Sequence, residues 1–314
     1  MPLFGMPTVR LSLGGAFFRL WADGHGLLTE LPSCVIRNRD TGALVAFGEE
    51  AQSMEGRVPE HLEFVRPFAE DALYDRALFR ALVEHIVLSN QQSLSPWQRV
   101  ADFSRYHIAV PPTVPALHKT WLQRTLREAG LWQWQPYDPF LSVAQRVTQR
   151  SRSAQVVGVL DVGFSAVRAA LYVGDEVVAA QRSSQLSLRN FCQQLTQEEQ
   201  KRHQIQFSPS ILYDQQWFVQ HVGYNETQQR AVTAPVHKDT FTAVQKRYTN
   251  QLHQFLVGVM NTTAPDIQAS MQYHGWTVIG GGATIPGVLD AFSAADGVPI
   301  KMYKHTRYAD VRLE

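Results

Sequence analysis

Apolar residues in this chain fall into short runs broken by glycine, and between the runs stand longer stretches with helical spacing. The clearest case is Val156 to Ala180, VVGVLDVGFSAVRAALYVGDEVVAA. An apolar run breaks at Asp161, Val162 and Gly163, resumes rich in valine, alanine and leucine, turns at Gly174 and Asp175, and resumes again. Short runs bounded in this way predict strands, here a buried hairpin followed by a third strand. Val9 to Leu28, VRLSLGGAFFRLWADGHGLL, repeats the plan. With Ser12 set over Asp161 and Gly14 over Gly163, Arg19 falls on Arg168, and each copy turns again at a glycine, Gly24 or Gly174. Two such units half a chain apart predict a duplicated α/β fold with a cleft between its halves.

Periodic stretches fill the intervals. Leu73, Ala77, Phe79, Leu82, Val83 and Ile86 recur near helical spacing and predict a helix over 71–88. Helices are also expected over 115–129, stopped by Gly130, over 139–148, and over 238–260. A strand, a turn at Asp40 to Gly42, a second strand and a short helix from Glu49 predict a small subdomain over 31–62. A second small subdomain is expected over 183–237. The lobes then cover 1–150 and 151–314, joined by the polar connector 149–155.

Candidate chemistry lies where these strands end. An acid just ahead of a glycine turn can hold a hydrated metal while backbone N–H groups cup a phosphate. Gly14, Gly15, Asp161 and Gly163 stand at such turns. In WTVIGGGATIPG, from Trp276, Gly280, Gly281, Gly282 and Ala283 end an apolar strand before a helix expected near Ile285. Glycines there let backbone approach a ligand, and a helix N-terminus favours anions.

These three elements resemble the actin-like proteins, and among them the bacterial rod-shape protein MreB. Further matches are LPSCVI from Leu31, TGALVAFGEEA from Thr41, GRVP from Gly56, RPF from Arg66 and IAVP from Ile108. The resemblance spans about residues 9–300 and implies a ribonuclease H-like, duplicated two-lobe fold with a small subdomain inserted in each lobe. It also implies nucleotide between the lobes and double filaments on the inner membrane. ATP with magnesium is the implied ligand, with Asp161 the remaining metal-side carboxylate and Gly280 to Ala283 on the adenosine side.

Departures from the family pattern bear on activity. Ser12 stands at the first loop's aspartate position, and Phe17 and Phe18 at polar ones. Phe164 replaces a glycine of the second loop, followed by Ala166 and Val167. A bulky side chain blocks the approach that glycine permits, and apolar rings leave a polyphosphate without partners. In WQWQPYDPF, from Trp132, Asp138 stands where the family has a glutamate that orients the attacking water. The shorter side chain reaches one methylene less far, and capping the helix after Pro139 is its other reading. Asp138 and Asp161 are therefore vestigial catalytic candidates, no residue is assigned catalysis, and no cofactor is required. After Met302 only Tyr303 to Glu314 remain, so the family's return helix is expected to be missing.

Composition narrows the partners. A chain of 314 residues, 45% hydrophobic, can bury two cores. A net charge of +1 argues against electrostatic nucleic-acid binding. Cys34 and Cys192 form neither a metal spacing nor a disulfide framework, and no run approaches the ~20 apolar residues of a membrane span. A cytoplasmic protein, with peripheral inner-membrane contact left open, is expected. Leu94 and Trp97 beside Pro96 are candidates for that contact, as for the corresponding loop in MreB-like proteins; the tail Met1 to Pro7 reads as a frayed end or an anchor. His203, His221 and His237 lack a metal-ligand spacing and are read as solvent or packing residues; no metal is assigned beyond magnesium at Asp161. Three readings remain: an MreB-like pseudo-ATPase acting through contacts with itself, an MreB filament or other proteins; an active ATP-dependent filament former; and an adaptor like FtsA or PilM.

Overall fold

The computed structural model describes residues 8–69, 72–73, 75–93, 105–150, 156–213, 215–290, 299–304 and 309. The chain forms two compact units that adjoin in sequence between Val143 and Ala144.

The first unit is built on a meander of β1 (Thr8–Leu13), β2 (Phe17–Ala22) and β3 (Gly26–Pro32). Val9, Leu11, Leu13, Phe18, Leu20 and Ala22 alternate onto one buried face, the period a half-buried strand requires. A small sheet follows from β4 (Val35–Asn38), β5 (Leu44–Phe47) and β6 (Leu62–Val65), with helix α1 (Gly48–Ser53) between the last two. Next come a two-residue pairing of β7 (Phe68–Ala69) with β8 (Ala72–Leu73), then α2 (Arg76–Ser93) and β9 (Arg105–Ala109). The unit ends in α3 (Ala116–Glu128), β10 (Trp134–Tyr137) and the start of α4 (Pro139–Arg150). The large sheet has the order β10-β9-β1-β2-β3, with β9 parallel to β1 and β10.

The helix expected over 71–88 starts later and runs further. Asp75 fixes the start, since its Oδ1 accepts the N–H groups of Ala77 and Leu78 at 3.0 Å each, while Oδ2 accepts Arg37 Nη1 at 2.7 Å. Leu94 and Trp97, the membrane candidates, and the tail 1–7 lie outside the described residues.

The small sheet has its own core of Cys34, Ile36, Ala46, Ala51 and Leu62. The Cys34 thiol donates to the Gly48 carbonyl at 3.4 Å, and burial pushes its pKa from 9.0 up to about 12, against the opposing pull of Arg66. Native protein should therefore show no thiol reacting with an aromatic disulfide reagent at pH 8, because Cys192 is buried too; both thiols should titrate once the chain is unfolded. Because the unfolded thiol ionises first, the stability Cys34 contributes is intact below 9.0 and is lost as pH rises toward about 12. A rapidly labelled thiol at pH 8 would contradict this packing.

The second unit repeats the first. Its meander is β11 (Val156–Val162), β12 (Val167–Val173) and β13 (Glu176–Ser183). There follow α5 (Leu188–His203), β14 (Ile205–Gln206), the hairpin β15 (His221–Asn225) and β16 (Arg230–Ala234), then α6 (Lys238–Met260) and α7 (Pro265–His274). β17 (Trp276–Ile279) and β18 (Ile300–Met302) finish a sheet of order β13-β12-β11-β17-β18. Both large sheets are thus an antiparallel meander extended by two parallel strands from its first member. α5 and α6 pack through Phe191, Phe241 and Tyr248, and the fully buried Tyr248 hydroxyl donates to the Leu186 carbonyl at 2.8 Å.

Candidate functional site

The duplicated hairpins make matching loops. Ser12 stands opposite Arg19 in the register of β1 and β2, and Asp161 opposite Arg168 in that of β11 and β12. Gly14 N–H donates to the Phe17 carbonyl at 3.0 Å and Gly163 N–H to that of Ala166 at 3.1 Å. A Cβ on Gly14 would lie 2.8 Å from Phe17 O, and one on Gly163 2.7 Å from Ala166 O, so both turns need glycine for their own closure.

The first loop carries no carboxylate at the strand end. Ser12 is buried there, and Arg19 turns instead toward Glu30, Nε to Oε2 3.5 Å, with its guanidinium 5.5 Å from the Phe17 ring centroid. Phe18 does not face the loop. It is fully buried in the lobe core, edge-on to Phe79 at 5.6 Å, so its replacement of a polar residue serves packing. Gly15 is half-buried in the loop.

In the second loop Asp161 is engaged. Its Oδ2 accepts Arg168 Nη1 at 3.2 Å, and the two side chains are 16% and 14% exposed. Phe164 packs edge-on to Tyr213 at 4.8 Å against the lobe's core. The loop's carbonyls are spent on α5: Leu188 N–H donates to Gly163 O at 3.0 Å and Arg189 N–H to Phe164 O at 3.1 Å. Asn190 N–H donates to the Ser187 hydroxyl at 3.2 Å and Phe191 N–H to the Ser187 carbonyl at 3.0 Å. A helix N-terminus binds anions through otherwise unpaired N–H groups, and the first four of α5 are all paired. Ser165, 5% exposed, has a hydroxyl with no hydrogen-bond partner among the described residues.

The glycine turn after β17 is held close to β11. Gly280, at φ 89° and ψ 157°, lies so near that a Cβ would fall on the Asp161 carboxylate and the Val162 carbonyl. A Cβ on Gly282 would come within 2.5 Å of Val162 Cγ1, whereas one on Gly281 would meet nothing within 4 Å. Ala283 is buried beside them. Instead of the helix expected near Ile285, a 3-10 turn spans Gly281–Thr284 and α-helical backbone begins at Val288. Gln215 clamps this turn, donating through Nε2 to Gly281 O at 2.7 Å and accepting from Thr284 Oγ1 at 2.6 Å. Gln215 and Tyr213 went unnoticed in the sequence, since nothing in their local pattern links them to the distant glycines.

The Asp138 carboxylate caps α4, its Oδ1 accepting the Phe140 N–H at 2.9 Å. His203 and His237, far apart in the chain, stack with ring centroids 3.7 Å apart, while His221 bonds separately to the Gln216 carbonyl at 2.7 Å.

Three features of the second loop bear on how a magnesium-bound polyphosphate would be held there. The Asp161 carboxylate is paired with a guanidinium, the first N–H donors of α5 are used, and the Ser165 hydroxyl lacks a partner among the described residues, whereas such a ligand brings many acceptor oxygens.

Comparison with known proteins agrees with the fold. A model of the MreB/Mbl protein family matches residues 7–134. The cell shape-determining protein Mbl of Bacillus cereus is 21% identical over 299 residues, 89% of this chain and 86% of that protein. Mbl of Bacillus subtilis is 29% identical over 79 residues, 25% of this chain and 24% of its own length. MreB5 of Spiroplasma citri bound to AMPPNP superposes with a TM-score of 0.86 at 18% identity, covering 98% of this chain and 94% of its own. The MamK double helical filament gives 0.72 at 17% identity and 96% of each chain. The two repeated lobes are thus those of the actin fold. Within that fold the chain is similar to the MreB and Mbl proteins of the bacterial actins.

Proposed function

We propose that this chain is a cytoskeletal actin-fold protein that has given up ATP hydrolysis and works through its surfaces, assembling with itself or with an MreB-type filament. The observation that carries this reading is the pairing of Asp161 with Arg168 beneath the Gly280 turn, in a loop whose helix donors are already satisfied. Ser12 removes the matching carboxylate from the first loop. Hydrolysis needs charge stabilisation and a positioned water, and neither loop keeps both an unengaged carboxylate and polar donors. Asp138, occupied as a cap, leaves the water without its positioning group.

Support for self-association comes from the relatives: MamK forms a double helical filament, and the Mbl proteins are named as determinants of cell shape. We assign the chain to the cytoplasm. No helix among the described residues is long and apolar enough to cross a membrane. Contact with the inner-membrane surface through Leu94 and Trp97 belongs to the same proposal. The active-ATPase reading has support of its own, since MreB5 structures hold AMPPNP or ADP. Calorimetric titration with magnesium ATP separates the two: no saturable binding is expected, and micromolar binding with phosphate release would overturn the pseudo-ATPase.

A further inference from the structure

In the second small subdomain two helices bring four ligand-type side chains together. Glu199 and His203 lie four residues apart on α5, hence on one face, while His237 precedes α6 as its N-cap and Asp239 sits in that helix's first turn. One ligand atom from each of Glu199, His203 and His237 lies within 4.8 Å of the others. Asp239 Oδ1 is 3.4 Å from His203 Nε2. We propose that these four residues bind a divalent transition-metal ion of the zinc class.

Burial and charge balance carry the argument. Glu199 is 0% exposed, a burial that a carboxylate tolerates only with a counter-charge, and both of its oxygens face His237: Oε1 accepts the backbone N–H at 2.6 Å and Oε2 lies 3.0 Å from Nδ1. Two carboxylates and two neutral imidazoles neutralise a divalent cation with no residual charge. Nitrogen and carboxylate donors in this mixture suit zinc, whereas magnesium and calcium prefer oxygen alone. The arginines beside the site are tied to Glu198, Arg202 at 2.6 Å and Arg247 at 3.1 Å, and Arg202 also lies 3.5 Å from Asp239.

Binding requires a local rearrangement. Donor atoms around tetrahedral zinc sit about 3.3 Å apart, so the set must draw in by about an ångström. The two imidazoles are within 11° of parallel, and one ion cannot lie in both ring planes. His203, 27% exposed, has room to turn about its Cβ–Cγ bond and unstack. His237 holds the ion through Nδ1 in its Nε2–H tautomer, the ring proton moving from Nδ1 to Nε2, so the Nδ1–Glu199 Oε2 contact gives way to bonds from both atoms to the metal.

The test is titration of the full chain with zinc by calorimetry and with cobalt by visible absorption. One equivalent should bind saturably and give cobalt the d–d bands of a tetrahedral site. His203→Ala and His237→Ala should each weaken binding at least tenfold, while His221→Ala should leave it unchanged. Because Glu199→Gln alters a buried group and can unfold the subdomain, the half-exposed His203 carries the decision. No saturable binding, or undiminished affinity in a His203→Ala, His237→Ala double variant, would overturn the site.

Discussion

Gly280→Ala is expected to destabilise the protein by about 2–6 kcal/mol, read as a large loss in urea midpoint. Its φ of 89° with ψ of 157° lies in a region essentially reserved for glycine, which costs a side-chain-bearing residue about 1–3 kcal/mol. The added Cβ falls on the Asp161 carboxylate and the Val162 carbonyl, and such overpacking costs about 1–3 kcal/mol more. Gly281→Ala is the control. Its Cβ meets open space, so its stability should change by less than about 1 kcal/mol. A turn kept for a nucleotide as well would show Gly281→Ala costing ligand affinity while leaving stability unchanged.

Asp161→Asn is the second large effect. It removes the carboxylate charge 3.2 Å from the Arg168 guanidinium, 14% exposed, and weakening a pair buried to this degree costs about 3 kcal/mol. Arg168→Met alone should also destabilise, and the double variant Asp161→Leu, Arg168→Met should recover much of the loss. A double-mutant cycle by chemical unfolding would then return a coupling of about 1–3 kcal/mol. If Asp161 were instead a metal-side ligand in an active site, Asp161→Asn would leave stability nearly unchanged and abolish nucleotide-dependent behaviour.

The sequence carried the duplication because glycine spacing survives when chemistry changes. Ser12, Gly14 and Arg19 align with Asp161, Gly163 and Arg168 on spacing alone, and the strand registers put each first residue opposite its arginine. What spacing cannot show is who meets whom across the chain. Phe17 and Phe18 look alike in sequence, yet strand alternation sends Phe18 into the core and leaves Phe17 half-buried beside Arg19. The start of α2 falls later than the apolar spacing from Leu73 implies, because Asp75 accepts the N–H groups of Ala77 and Leu78 and is tied to Arg37 across the fold. The stacked histidines were invisible because His203 ends one helix and His237 precedes another, so neither supplies a local pair.

The retained fold and the altered loops have a common physical origin. Gly14, Gly163, Gly280 and Gly282 are each required by a close backbone approach within their own lobe, independent of any ligand. On the proposed reading, positions that served only to reach a phosphate had no such second role. Those positions now hold Ser12, Phe17 and Phe164, while Asp161 persists as the partner of Arg168.

Calorimetric titration of freshly purified monomer with magnesium ATP tests the central claim most directly. The proposed pseudo-ATPase reading predicts no saturable heat at protein concentrations of tens of micromolar. A dissociation constant tighter than about 10 µM, equivalent to about 7 kcal/mol, would contradict it and identify the chain as a nucleotide-binding filament protein.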